Sequence, residues 1–326
     1  MKVLFTSVGR RVELIQAFRQ AANELNVELT IIGADIASDA PALFFCDETK
    51  IVCRIKDKNY IPRLLAICEI EKVDCLIPLL DTELLLLAEN KKHFEEIGTK
   101  VLISAADKVR LCRDKNYIAD YFVSLGLKSP LPVNSVEKFE QIMERGEVSF
   151  PAFIKPKDGS SSINAYRVDT LHDLKLYADK IEDYIIQPYI SGREYTIDIF
   201  CDYEGNPVYI TPRERLAVRA GEVLKTKITQ DDTMISEMLM LVADYKPCGQ
   251  ITVQLIQEEK TGDNYYIEIN PRFGGGAPLS IKAGANSAKA VLKMLNGERL
   301  LYKEKAARDG AVYSRFDQSV CVNEGQ

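Results

Sequence analysis

The chain has 326 residues, 46% of them apolar and 28% charged, with a formal net charge of −6. This suits a soluble globular protein of two or three packed units, and the acidic balance argues against the broad basic surface that nucleic acid or an anionic membrane needs. Eight scattered cysteines with no C-x-x-C pair read as reduced thiols of a cytoplasmic chain, and two histidines, His93 and His172, make zinc sites and histidine-dependent triads poor expectations. The apolar run Met1-Lys2-Val3-Leu4-Phe5 stops too soon for a signal peptide. No stretch approaches the roughly 18–20 apolar residues of a membrane span.

In chain order, Lys2 to Thr6 reads as a buried strand and Val12 to Leu25 as a helix. Strands are expected at Leu29 to Ala34 and Thr49 to Arg54, a helix at Tyr60 to Ile70, a strand at Asp74 to Leu80, a helix at Glu83 to Phe94 and a strand at Lys100 to Ser104. Such alternation predicts a parallel sheet with helices on its faces. Asp107 to Leu125 then reads as one helix, broken by the Gly126-to-Pro132 stretch. Short strands follow at Ala152 to Lys155, Ala165 to Val168, Ile185 to Tyr189, Tyr195 to Phe200 and Val208 to Thr211. A helix at Asp231 to Asp244, a hairpin over 250–270, a helix at Leu279 to Leu295 and a returning strand at Val312 to Val322 complete the reading.

The hairpin carries the most information. Gly249 to Gln257 and Tyr265 to Arg272 flank the turn signal Thr261-Gly262-Asp263-Asn264. A fold about Thr261 sets Gln254 opposite Glu268, and strand periodicity puts Glu268 and Asn270 on one face, with Ile267 and Ile269 toward the core. One carboxylate and two amide oxygens form a hard-oxygen cluster of the kind magnesium accepts; the alternative is a solvated polar face. Pro271-Arg272 adds a fixed cation, and Gly274-Gly275-Gly276 lets backbone approach a ligand, or forms a plain flexible loop.

Lys155 ends an apolar strand, where an ammonium needs an anion or snorkels at the edge. The small-residue loop Asp158 to Ser162 after it can cradle phosphate through backbone N–H groups. Arg113-Asp114-Lys115 is a charged stretch that also suits a solvated helix face. Tyr184 to Ile190 and Ser191 to Asp198 form two strands with a short crossover whose main chain can meet a base, and Glu194 can accept from ribose hydroxyls or stand as an edge charge. Thr6-Ser7-Val8-Gly9-Arg10-Arg11 lies between a strand and a helix. It is either an anion site at a helix N-terminus with two arginines or a structural turn, and it is not a G-x-G-x-x-G fingerprint.

Taken together and in order, Asp114-Lys115, Pro151-x-x-x-Lys155-Pro156, Gly192-x-Glu194-Tyr195-Thr196-x-Asp198, Gln254 and Glu268-x-Asn270-Pro271-Arg272 resemble the ATP-grasp superfamily, most closely its carbamoyl-phosphate-synthase large-subunit-like branch, over nearly the whole chain. The resemblance implies an α/β plus α+β architecture: a Rossmann-like pre-ATP-grasp domain over 1–104, then a two-subdomain ATP-grasp fold over 105–326, divided near 185. It implies that Lys115 and Lys155 bind ATP phosphates beside the loop containing Ser160, Ser161 and Ser162. Gln187, Pro188, Tyr189 and Ile190 would form the adenine hinge and Glu194 the ribose contact. Gln254, Glu268 and Asn270 would hold Mg2+, with Mn2+ as an alternative. Arg272 would stabilise the transferring phosphoryl group, and Arg219 would face the reacting carboxylate, with Arg213 and Arg215 as further anion-site candidates.

Two features depart from the family pattern: Gln187-Pro188 stands where paired acidic residues are common, and the phosphate loop is poor in glycine. The implied activity joins a small-molecule carboxylate or bicarbonate, activated as an acyl phosphate, to an amine or ammonia, in a cytoplasmic protein for which the resemblance implies a homodimer. A split or paired carbamoyl-phosphate-synthase-like subunit and a non-catalytic ATP-binding regulator are the alternatives; a nicotinamide oxidoreductase is the most distant.

Overall fold

The computed structural model describes residues 1–157 and 164–323. The chain opens with β1 (Lys2–Thr6), α1 (Val12–Leu25), β2 (Thr30–Asp35), a 3-10 turn at Pro41–Phe45, β3 (Glu48–Ile51), α2 (Tyr60–Glu71), β4 (Cys75–Pro78), α3 (Asp81–Glu89), α4 (Lys91–Glu96) and β5 (Lys100–Val101). The strands pair in parallel in the order β3-β2-β1-β4-β5. Val3, Leu4 and Phe5 are fully buried, as expected for a strand covered on both faces. The order reverses at β1 and β4, so the loops leaving these two strands border the crevice where open parallel sheets bind ligands. The helix expected over Glu83 to Phe94 is two helices, because Asn90 leaves the helical region between them.

The next unit contains α5 (Ala106–Arg113), α6 (Lys115–Ser124), α7 (Val136–Glu144), β6 (Ala152–Pro156), β7 (Tyr166–Val168), α8 (Leu171–Ala178) and β8 (Tyr184–Pro188). Its sheet is small and antiparallel, in the order β7-β6-β8. The single helix expected over Asp107 to Leu125 is broken at Asp114, whose backbone is extended and whose carboxylate caps α6 by accepting from the N–H groups of Asn116 and Tyr117. Helices α7 and α8 were not anticipated; Ser135 and Thr170 cap their N-termini.

The last unit contains β9 (Gly192–Cys201), β10 (Pro207–Arg219), β11 (Glu222–Ile228), α9 (Asp232–Tyr245), β12 (Gly249–Glu258), β13 (Asn264–Asn270), α10 (Ala277–Ala283), α11 (Ser287–Leu295) and β14 (Val312–Ser314). Its six strands run in the order β13-β12-β9-β10-β11-β14. Strand β10 extends well past Thr211 and pairs with the unanticipated β11. The helix expected over Leu279 to Leu295 ends its first half at Gly284, whose φ is +125° and where a Cβ would lie 2.5 Å from the Ala306 carbonyl oxygen.

The first and last units share one hydrophobic core. Phe5, Ile15 and Phe18 pack in the same cluster as Phe273, Val291 and Leu292. Phe18 stands edge-on to Phe5, with centroids 4.9 Å apart, and to Phe273 at 6.0 Å. Aromatic contact thus fixes the parallel sheet against the turn that follows β13. No described helix is long and apolar enough to cross a membrane. Phe18→Ala should cost about 3–5 kcal/mol in urea-induced unfolding, the range for deleting a fully buried aromatic ring; a loss below about 1 kcal/mol would mean that the shared core does not fix the units together.

Candidate functional site

The hairpin of β12 and β13 sets Thr252 opposite Asn270, Val253 opposite Ile269 and Gln254 opposite Glu268. The next pair is Leu255 with Tyr266, so Ile267 is the extra residue of a bulge. This corrects the expectation that Ile267 faces the core: it is half-buried, and the fully buried ring at this point belongs to Tyr266. On the other face Gln254, Glu268 and Asn270 are half-buried, and the Asn270 side-chain amide donates to Glu268 at 2.8 Å. Among the described residues no three His, Cys, Asp or Glu side chains gather to hold a metal ion. One carboxylate with two amide oxygens therefore suits a magnesium ion that takes its remaining oxygens from a polyphosphate and water, rather than an ion caged by protein alone.

Facing this strand is Lys155, on β6. Its ammonium is pushed down to about 8, first by burial and further by the positive charge of Lys115, while the negative charge of Glu268 offsets part of the effect. The small sheet, helix α6 and the hairpin therefore bring Lys155, Lys115 and Glu268 into one electrostatic environment. Lys115, the first residue of α6, donates to the Lys157 carbonyl at 2.6 Å, and Lys157 returns to Asp114 at 3.6 Å. Asp114 thereby both caps the helix and ties it to the end of β6. Ser160, Ser161 and Ser162 lie outside the described residues.

At the crossover from β8 to β9 the Gln187 side chain is buried and donates to the Pro130 carbonyl. Ile186 exchanges both main-chain hydrogen bonds with Val133, and the Tyr189 N–H donates to the Pro151 carbonyl at 3.2 Å. Strand alternation turns the Pro188 carbonyl to the same edge as Ile186. Glu194 is exposed and lies 3.2 Å from Arg215, which also donates to the Gly221 carbonyl. Arg213 is only 2% exposed and is bound to buried Asp198 at 2.8 Å; Ser280 and Thr252 hydroxyls also donate to Asp198. Each of these arginines, expected as an anion-site candidate or a surface charge, already pairs with a carboxylate of the chain. Arg219 sits at the end of β10, exposed and paired with Asp317, and is not brought into the cluster.

Arg272 makes a bidentate pair with Asp81 from the first turn of α3: Nε to Oδ1 is 2.8 Å and Nη2 to Oδ2 is 2.6 Å. Asp81 was not anticipated, although its place just past β4 at the reversal of strand order could have marked it. Nearby, fully buried Glu83 accepts from the Tyr60 hydroxyl, the Ser7 hydroxyl and the N–H groups of Leu79 and Leu80. It holds together the two loops that leave β1 and β4. The three glycines after Arg272 make room for side chains. A Cβ at Gly274 would lie 2.9 Å from the Thr252 hydroxyl, at Gly275 2.8 Å from Arg11 Nη1, and at Gly276 2.5 Å from Arg213 Nη2. Close packing against these three residues is thus one reason for glycine here, beside the expected approach of backbone to a ligand.

Residues 3–102 match the family model of the PylC-like N-terminal domain, and residues 180–318 match that of the ATP-grasp in the biosynthetic pathway with Ter operon. The chain is 26% identical over 324 residues to the carbamoyl phosphate synthase large chain, N-terminal section, of Aquifex aeolicus, a match covering 90% of this chain and 56% of that protein. It is 27% identical over 147 residues to a D-alanine--D-alanine ligase of Francisella tularensis subsp. holarctica, covering 41% of this chain and 49% of the ligase. Among solved structures, the biotin carboxylase domain of the Hydrogenobacter thermophilus 2-oxoglutarate carboxylase, in complex with MgADP, ADP and bicarbonate, superposes with a TM-score of 0.74 at 20% identity, over 95% of this chain and 73% of that one. The N5-carboxyaminoimidazole synthetase of Staphylococcus aureus gives 0.71 at 15% identity, over 92% and 78%. The chain has an ATP-grasp fold behind a PylC-like N-terminal domain.

A 13C-lysine NMR titration should place the Lys155 midpoint near 8. Glu268→Gln should lower it further, because the lost negative charge favoured the ammonium. An unchanged midpoint in the variant would separate Lys155 from the hairpin.

Proposed function

We propose, from its ATP-grasp fold, that this chain is an ATP-dependent ligase that activates a small-molecule carboxylate, or bicarbonate, as an acyl phosphate and passes it to an amine or ammonia. The observation that carries this reading is the shared environment of Lys155, Lys115 and Glu268, contributed by three elements far apart in sequence. An enclosed ammonium within Coulombic reach of both a second ammonium and a carboxylate suits a polyanion and a cation bound together. Lys115 and Lys155 hold the β- and γ-phosphates. Gln254, Glu268 and Asn270 would hold Mg2+, or Mn2+, whose chemistry when bound is to neutralise phosphate charge. The Pro188 carbonyl and the Ile190 N–H receive the adenine edge, since proline offers no N–H, while Tyr189 is already engaged with Pro151. Glu194, exposed beside Arg215, accepts from the ribose.

The chemistry follows from positioning and charge. A carboxylate oxygen of the substrate attacks the γ-phosphorus, the bond to the β-phosphate oxygen breaks, and ADP leaves. Arg272 offsets charge on the phosphoryl oxygens; Asp81 fixes the plane of its guanidinium and leaves Nη1 on the Phe273 carbonyl side. The amine then attacks the acyl carbon, phosphate departs, and the amine's proton is lost to solvent or phosphate. No histidine or cysteine is required. All eight cysteines are free thiols, which fits a cytoplasmic setting. The homodimer implied by the family resemblance remains part of this reading.

The chain spans 56% of the length of its Aquifex relative. The 26% identity to that carbamoyl phosphate synthase section supports a second reading, a split or paired carbamoyl-phosphate-synthase-like subunit, which bicarbonate-dependent ADP release answered only by ammonia would favour. A screen of carboxylate–amine pairs for ADP and phosphate release, with mass analysis of products, tests the first. No acceptor-dependent ADP release across a broad panel of carboxylates and amines would instead favour a non-catalytic nucleotide-binding regulator. Glu268→Ala should lower acceptor-dependent ADP release by at least about a hundredfold while changing stability by less than about 1 kcal/mol; full turnover in that variant would remove the metal assignment. Lys155→Ala should raise the ATP KM about tenfold or more, measured in the same coupled assay.

A further inference from the structure

We propose that the crevice between the Ser7–Arg11 loop and the Gly274–Gly275 turn binds the ligase substrate as a compact anion, with its carboxylate or phosphate on Arg10 and Arg11 and its reacting end toward Arg272. The inference rests on the ligase reading and names the substrate class at that site. The crevice has a volume of about 270 Å³ and is walled by both the first and the last unit of the chain. It lies below the roughly 300–1,000 Å³ of sites for drug-sized ligands, so its occupant is nearer the size of an amino acid.

Charge decides what that occupant is. Two carboxylates line the crevice, Glu13 and Glu222: Glu13 is paired with Lys282 and Arg315, and Glu222 with Arg315 at 3.0 Å, within Coulombic reach of Arg11 and Arg10 as well. Arg10 and Arg11 line it too, and neither has an ion pair among the described residues. Arg11 is enclosed: its guanidinium packs where Gly275 lacks a side chain, and any Cβ there would come within 2.8 Å of Nη1. Burial and the nearby charges of Arg272 and Arg315 push its proton affinity down, Glu222 and Asp81 offset only part of this, and the net shift stays downward, so the site favours an added negative charge. Helix α1 adds to this. It has 14 residues, starts at the crevice after Arg11, and no side chain caps its N-terminal N–H groups. Glu83 holds Ser7, on the same wall, from the buried side.

The Coulombic coupling of Arg11 to both Arg272 and Asp81 puts the crevice beside the arginine assigned to the transferring phosphoryl group. A substrate anchored at one end by Arg10 and Arg11 therefore presents its other end to the phosphoryl group. Neutral and cationic acceptors of equal size would leave two arginines without a partner.

The test is calorimetry on the full chain with malonate, glutamate and inorganic phosphate as probes, their neutral amides as controls, and Mg-ATP titrated separately. At least one anionic probe should bind the wild type and its amide should not; whether the carboxylates or phosphate bind identifies the group recognised. Arg11→Gln should weaken that binding about tenfold or more and leave Mg-ATP affinity within about twofold. Arg10→Gln, at an exposed position, should give a loss in the same direction without touching buried structure. Binding of no anionic probe by the wild type, equal binding of the amides, or undiminished binding in both variants overturns the proposal. Failure of the ligase reading shows separately, as absence of acceptor-dependent ADP release by the wild type, whatever the anion titrations give.

Discussion

The pair formed by Arg272 and Asp81 is the contact on which the arrangement turns. Arg272 follows directly on the strand that carries Glu268 and Asn270, and Asp81 begins a helix of the parallel-sheet unit. A planar guanidinium meeting a carboxylate through two hydrogen bonds fixes orientation as well as distance. Asp81 is 40% exposed, so the energy gained is modest after screening; what the pair supplies is geometry. It sets the reactive end of the hairpin against the crevice at the reversal of strand order. Beneath it, the edge-on stack of Phe5, Phe18 and Phe273 supplies the burial that holds the two units together.

Around that contact the protein uses charge in two ways. Arg213 and Asp198 are buried together, with Ser280 and Thr252 completing the carboxylate's hydrogen bonds, so the pair braces the large sheet against α10. Burying two charges is costly unless such partners are present; the carboxylate has them, whereas Arg213 Nη1 is buried without a hydrogen-bond partner among the described residues. Lys155 and Arg11, by contrast, are enclosed without an ion pair of their own among the described residues, and both lose proton affinity first through burial. One faces the hairpin carboxylate and the other the crevice. Committed charges build the frame, and uncommitted ones face the spaces where ligands fit.

Much of this was legible in the residues. Alternation of apolar runs marked the parallel unit, and the turn signal at Thr261 to Asn264 with strand periodicity placed Gln254 opposite Glu268, the register observed. The fate of Ile267 was not legible, because a bulge is decided by how Tyr266 and Leu255 meet the core rather than by a local code. The break at Asp114 follows a rule of local chemistry, an extended residue whose carboxylate caps the next helix. It was hidden by an apolar periodicity that continues across it. Arg219, chosen by its place in a motif order, lies exposed against Asp317 at the end of a strand far longer than expected.

The sequence by itself determined the classes of element and the hard-oxygen face of the hairpin, since these depend on spacing along single segments. Tertiary structure decided which charges are spent and which are left over. Asp81 reaches Arg272 across 191 positions, and the side chains of Arg11, Thr252 and Arg213 are what the three glycines make room for. Such pairings depend on how separate units dock, and docking is set by the complementarity of whole surfaces, which no single stretch of residues encodes.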